Sequence, residues 1–270
     1  MVRSGVRLPA CAGRFYPADA IELRELVETC LKHARSVPGG FPKAIIAPHA
    51  GYIYSGPIAG SAYRPWRGAG GRIRRVVLLG PAHYADFKGV ALSSATGFET
   101  PLGVVPVDMD RVEVVRRLPQ GRLLDSAHAP EHALEVQLPF LQTLIEQFSI
   151  GPLQVGAASD EEVGEVLEPL WGDAETRVVV SSDLSHYHDY LTALAVDAAT
   201  ARAIEHLDIG IIDGDHACGS RAIRALIGMA RRHGLGAKAV DLRNSGDTAG
   251  PRDRVVGYGA FLFAEGNVRP

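Results

Sequence analysis

The chain has 270 residues, 46% of them hydrophobic, and a formal charge of -3. That apolar content excludes disorder, and a pI near 6.4 lacks the basic footprint of a nucleic-acid binder. Cys11, Cys30 and Cys218 are too few and scattered for a disulfide framework, and neither a membrane-length apolar run nor a signal-peptide core is present, so a reducing cytoplasm is the expected location.

In chain order, Ile21 to Ala34 places Leu23, Leu26, Val27, Cys30 and Leu31 at helical spacing. Lys43 to Ala47 (KAIIA) and Arg75 to Leu79 (RVVLL) read as buried strands. Phe87 to Asp108 breaks into short β-like pieces and predicts a hairpin-like insertion. Leu138, Leu141, Ile145 and Phe148 form a second helical stripe before a strand at Leu153 to Val155. A further strand at Arg177 to Val180 precedes helices at Ala193 to Leu207 and Ser220 to His233. Ala237 to Leu242 and Val255 to Phe263 close the chain as a late strand pair. No linker or low-complexity segment divides it. Strands alternating with helices predict one α/β domain over 1–270, with a mostly parallel sheet covered by helices on both faces.

Open α/β sheets bind ligands outside the carboxyl ends of their strands. Three buried strands here end in histidine. KAIIA runs into Pro48-His49, RVVLL into Gly80-Pro81-Ala82-His83, and RVVV into Ser181-Ser182-Asp183-Leu184-Ser185-His186. One such imidazole is ordinarily a hydrogen-bonded loop residue; three with shared placement point to a common site. Cys218 opens the helix GSRAIRALIGMA, where the positive dipole end favours thiolate, as a metal ligand or nucleophile requires. A small buried residue at a helix start is the equally plain alternative.

His128-Ala129-Pro130-Glu131-His132 matches the H-x-x-E-H pattern of one zinc-protease class. That chemistry needs both imidazoles on one continuous helix, and Pro130 argues against it. His132 and Glu135 are retained as residues that can point into the site from a helix start, with a solvated helix position the bland reading of Glu135. Neither G-x-G-x-x-G nor G-x-x-x-x-G-K-[ST] occurs, so no nucleotide cofactor is expected.

Six ordered segments resemble the Memo family, known in microbes as AmmeMemoRadiSam system protein B. They are AGRFYP (12–17), PHAGYIYSG (48–56), LGPAH (79–83), EHALEVQLPFL (131–141), SSDLSHY (181–187) and CG (218–219). The resemblance implies a fold like the class III, LigB-type extradiol dioxygenases. It implies one metal ion held by His49, His83 and Cys218, with Asp183 and His186 as further pocket residues and Phe15, Tyr16 and Tyr54 as walls. A thiol stands where the dioxygenases use a carboxylate, so oxygen chemistry does not carry over automatically. The family name also implies radical-SAM and AMMECR-type partners.

Two imidazoles and a thiolate suit Fe(II), Cu(I) or Zn. The leading expectation is a redox metalloenzyme acting on an unidentified small molecule or peptide, with His186 as general acid/base oriented by Asp183. The alternatives are a metal- or ligand-binding protein without turnover, and a hydrolase with Cys218 as nucleophile and His186 as base.

Overall fold

The structure is a computed structural model that describes residues 2–3, 5–35, 41–68 and 71–265. The chain begins with two short strands, β1 (Val2–Arg3) and β2 (Val6–Arg7), then helix α1 (Ala20–Lys32). Strand β3 (Ala44–Ala47), helix α2 (Tyr52–Tyr63) and strand β4 (Arg75–Pro81) follow. The next stretch holds β5 (Val90–Leu92), β6 (Gly97–Thr100), β7 (Gly103–Pro106), α3 (Met109–Arg116), β8 (Gly121–Leu123) and α4 (Asp125–His128). Helix α5 (Leu138–Leu144), strand β9 (Ser149–Val155), helix α6 (Asp160–Leu167) and strand β10 (Thr176–Ser181) complete the centre. Last come β11 (His186–His188), α7 (Tyr190–Glu205), α8 (Ser220–Arg232), β12 (Leu235–Asn244) and β13 (Val255–Glu265).

The main sheet runs β11-β13-β3-β10-β4-β9-β5-β8, with β12 paired to β13. It is mixed, which corrects the mostly parallel sheet predicted from the helix–strand alternation. The parallel pairings are β3–β10, β10–β4, β4–β9 and β5–β8. The flanks are antiparallel: β13 on β3, β12 and β11 on β13, and β5 on β9. The reason is the connections. Only a single 3-10 turn, Ser245–Asp247, and a short loop lie between β12 and β13, so their ladder is a long hairpin, whereas β3, β4, β9 and β10 are joined through α-helices.

Right-handed crossovers place helices on opposite faces according to the direction of travel along the sheet. β3 to β4 moves one way and β9 to β10 the other; accordingly α2 packs with α1 and α5, and α8 packs with α6. The hairpin β6–β7 joins β1–β2 in a second, four-stranded sheet, while β5 from the same insertion extends the main sheet.

Among the segments that differ from the predicted elements, two do so for reasons visible in the packing. Strand β9 starts at Ser149, because Pro152 is tolerated: it pairs with Leu78 of β4, and β5 reaches only Gln154 and Val155 on the other side. The helical stripe before it therefore stops at Leu144, with Ile145 already extended at φ -128 and ψ 121. Helix α2 was not predicted at all. It carries Gly56, Pro57 and Gly60 and is buried nearly all round, so it has no amphipathic pattern. A Cβ on Gly60 would stand 2.6 Å from the carbonyl oxygen of Cys30; glycine is what lets α1 and α2 approach so closely.

Candidate metal centre

The three central parallel strands end together. Ala47 of β3 lies opposite Ser181 of β10, and Leu79 of β4 lies opposite Val180. The residues that follow each strand, His49, Asp183 and His83, therefore reach one edge of the sheet. A fourth group comes from the irregular segment before α5. Gly80 has no room for a Cβ, which would meet Leu134 at 2.9 Å and Ala133 at 3.2 Å, so this segment packs directly on the end of β4. It delivers His132.

His49, His83 and His132 present ligand atoms that all lie within 4.8 Å of one another. Ring centroids are 5.1 Å apart for His49–His83, 5.4 Å for His49–His132 and 4.7 Å for His83–His132. Hydrogen bonding sets their tautomers. The Ser181 hydroxyl donates its only proton to the Ala133 carbonyl at 2.6 Å and accepts from Gln137 Nε2 at 2.7 Å. Toward His49 Nδ1, 2.9 Å away, it can only accept, so Nδ1 carries the proton and Nε2 keeps its lone pair. His83 Nδ1 faces the Glu131 carboxylate at 2.9 Å, which leaves Nε2 free in the same way. Enclosure, then the neighbouring His83 and His132, hold His49 well below the usual imidazole range. Neutral imidazoles anchored through Nδ1 are what a metal ion requires.

Glu131 organises the cluster. It is 1% exposed, and besides His83 Nδ1 it accepts from the backbone N–H groups of His83, His132 and Ala133. His132 Nδ1 lies 3.2 Å from the same oxygen but is misaligned for a hydrogen bond. Burial raises the carboxyl pKa, but the bonds from His132 and His83 outweigh it and keep Glu131 ionised far below the usual range. The sequence alone did not single out Glu131; its only signal was the HAPEH run. That run is not helical throughout: α4 ends at His128, and His128 Nε2 bonds the Ala91 carbonyl at 3.0 Å, away from the cluster.

Cys218 approaches from the start of α8. Its Sγ lies 3.2 Å from His49 Nε2 and accepts from the Asp183 N–H at 3.3 Å. It is outside the set formed by the three imidazoles. Enclosure, then the Asp183 charge, push the thiol up to about 12, against the helix start that favours thiolate. Asp183 Oδ1 accepts the His49 backbone N–H at 2.7 Å, so its carboxylate braces His49, and no hydrogen bond joins it to His186. Burial raises the Asp183 pKa.

His49, His83 and His132 open on a cavity of about 540 Å³ that Asp183 and His186 also line, with Phe15, Tyr54 and Tyr258 among its aromatic walls. This volume falls in the range of small-molecule sites. His186 and Cys218 are not hydrogen-bonded; the base nearest the thiol is His49. Tyr16 and Glu135 do not reach the cavity. Glu135 is wholly buried and accepts from Arg7 Nη1, Tyr16 Oη and Cys11 Sγ at 2.6, 2.6 and 2.9 Å. Arg7 also donates to the carbonyls of His128 and Glu131, so this network clamps the segment that presents His132. Among the described residues, no helix is long and apolar enough to cross a membrane.

A sequence model of the family described as Memo-like protein matches residues 7–262. A MEMO1 family protein of Aquifex aeolicus is 36% identical over 281 residues, covering 96% of this chain and 99% of the relative. MEMO1 family proteins of Methanopyrus kandleri and Pyrobaculum arsenaticum are 35% and 34% identical, with the same coverage of both chains.

Proposed function

Because the chain belongs to the Memo family, and because His49, His83 and His132 form a group that can bind a metal, we propose that it is a metal-dependent oxidoreductase acting on a small organic substrate. The observation that carries the reading is the pair of Nδ1 anchors, Ser181 on His49 and Glu131 on His83, which leave both Nε2 lone pairs free. In this proposal His49 and His83 hold one ion and Cys218 supplies the third donor. Its sulfur is already at ligand–ligand distance from His49 Nε2, and His132 is the remaining imidazole in range. This donor set suits Fe(II), Cu(I) or Zn; a redox-active ion would supply electron transfer or activation of a small oxidant.

The chain's own residues would do the rest. Phe15 and Tyr54 pack a flat or apolar substrate portion, and His186, on the cavity wall, moves a proton at the substrate. Asp183 acts by fixing His49. The LigB-type kinship and the radical-SAM and AMMECR-type partners belong to the same proposal. The test is elemental analysis of anaerobically purified protein and its variants. His49→Ala, His83→Ala and Cys218→Ala should each lose bound metal, whereas His186→Ala should keep it and lose turnover. Full metal content in both His49→Ala and His83→Ala would refute the reading. Retention in Cys218→Ala with loss in His132→Ala would replace the thiolate by the third imidazole.

A further inference from the structure

Cys218 is only partly buried, yet it does not line the 540 Å³ cavity on which the imidazoles open. It lines a second cavity of about 240 Å³, with Pro81, Ala85, Asp86, Ala157 and Arg221 among its walls. His83 alone borders both spaces. The 3.2 Å contact between Cys218 Sγ and His49 Nε2 therefore lies in the partition between them. Two glycines keep the walls of the smaller space at backbone distance. A Cβ on Gly219 would meet Ser182 Cβ at 2.7 Å, and one on Gly156 would meet the Phe87 carbonyl oxygen at 2.3 Å.

The geometry points to a two-sided centre, in which an organic substrate enters through the aromatic cavity and a second, small polar ligand reaches the Cys218 face through the smaller one. This rests on the metal-centre reading above. The linings separate the two classes: Phe15, Tyr54 and Tyr258 wall the space of about 540 Å³, whereas the space of about 240 Å³ is less than half as large and has no Phe, Tyr or Trp in its lining. Asp86 and Arg221, both exposed, give the small cavity a polar rim.

The probe is methyl methanethiosulfonate, a small neutral reagent. The Cys218 sulfur attacks its thio sulfur and forms a mixed methyl disulfide; methanesulfinate leaves, and the thiol proton passes to solvent. Cys11 and Cys30 are 1% and 5% exposed, so mass spectrometry of the native protein reads Cys218 directly. Chelator-treated wild type should gain one methylthio group at Cys218. Ala157→Phe and Ala85→Phe, which narrow the small cavity, should each slow the labelling at least tenfold. Pro251→Trp, on the wall of the large cavity, should change it less than twofold. Folding of each variant is checked by its thermal transition. Slowing by Pro251→Trp alone, no effect of any variant, or a wild type that labels only when unfolded would overturn the two-sided arrangement. A separate arm adds Fe(II) or Zn(II) to wild type before the reagent. Failure of the metal to protect Cys218 would count against its ligand role, while the access comparison, made without metal, would stand.

Discussion

Glu131→Gln separates the imidazole scaffold from the imidazoles themselves. In the native protein Glu131 Oε1 accepts from His83 Nδ1 at 2.9 Å, His132 N at 2.9 Å and Ala133 N at 3.0 Å, while Oε2 accepts from His83 N. A glutamine that keeps its oxygen at the Oε1 position preserves three of these bonds. Its amide then faces the His83 N–H, donor against donor, so one buried backbone group goes unsatisfied, costing about 1–3 kcal/mol of stability. The larger effect is on the ion. A neutral amide cannot polarise the His83 ring as a carboxylate does, and loss of such a partner weakens metal affinity about 10- to 100-fold, or roughly 1.4–2.7 kcal/mol. Anaerobic competition with a chelator of known affinity reads the second effect, and denaturation of metal-free protein reads the first. A folded Glu131→Gln protein with wild-type affinity would mean that His83 is not a ligand.

Arg7→Ala leaves the Glu135 carboxylate buried without its 2.6 Å partner and should cost about 3–5 kcal/mol in denaturant titrations, the mark of a structural clamp. Gly60→Ala drives a Cβ against the Cys30 carbonyl and should destabilise by about 1–3 kcal/mol; a neutral result would show that α1 and α2 can separate freely. Asp197, 2% exposed against Ser185 and Gly257, is raised by burial to about 6, above the roughly 3.9 of an unfolded chain. The folded state thus holds this proton more tightly, so its contribution favours folding below about pH 4 and is progressively lost as pH rises through 6. Asp197→Asn keeps an acceptor for the Ser185 N–H and should gain up to about 3 kcal/mol over wild type above pH 7, because each tenfold difference in proton affinity is worth roughly 1.4 kcal/mol. Unfolding midpoints at pH 4.5 and 7.5 check it; an unchanged pH slope in the variant would refute it.

The elements legible in the sequence are those where periodicity, termini and burial agree. Helix α1 shows its face through Leu23, Val27, Cys30 and Leu31, all of which the structure buries. The runs of β3, β4 and β10 are buried on both sides and read as continuous apolar bursts. Helix α2 was hidden because its glycines serve helix–helix contact, the opposite of their usual meaning in a sequence. Helix α6 was not predicted either, although the structure shows a reciprocal capping box of Ser159 and Glu162 at its start. Strand direction was not readable at the flanks, since β13 is as apolar as β3 although it runs antiparallel to it.

The site was legible for a different reason. His49 and His83 follow buried strands immediately, and a residue in that position has little choice but to stand at the carboxyl edge of the sheet. Position alone, however, does not say which nitrogen faces a ligand. That is decided by Ser181 and Glu131, which lie 132 and 48 residues further along the chain. Glu131 was obscured by the pattern it belongs to. As a zinc-protease motif, HAPEH would make His128 and His132 the ligands and Glu131 the base. In this fold Pro130 falls just after α4, His128 turns to Ala91, and the carboxylate is left to hold His83 in place and anchor the backbone beside His132. The residue types are those of a metal site in both cases, but the break after His128 moves Glu131 from a catalytic to a positioning role. For that reason Glu131→Gln is expected to change affinity for the ion first, and turnover only through it.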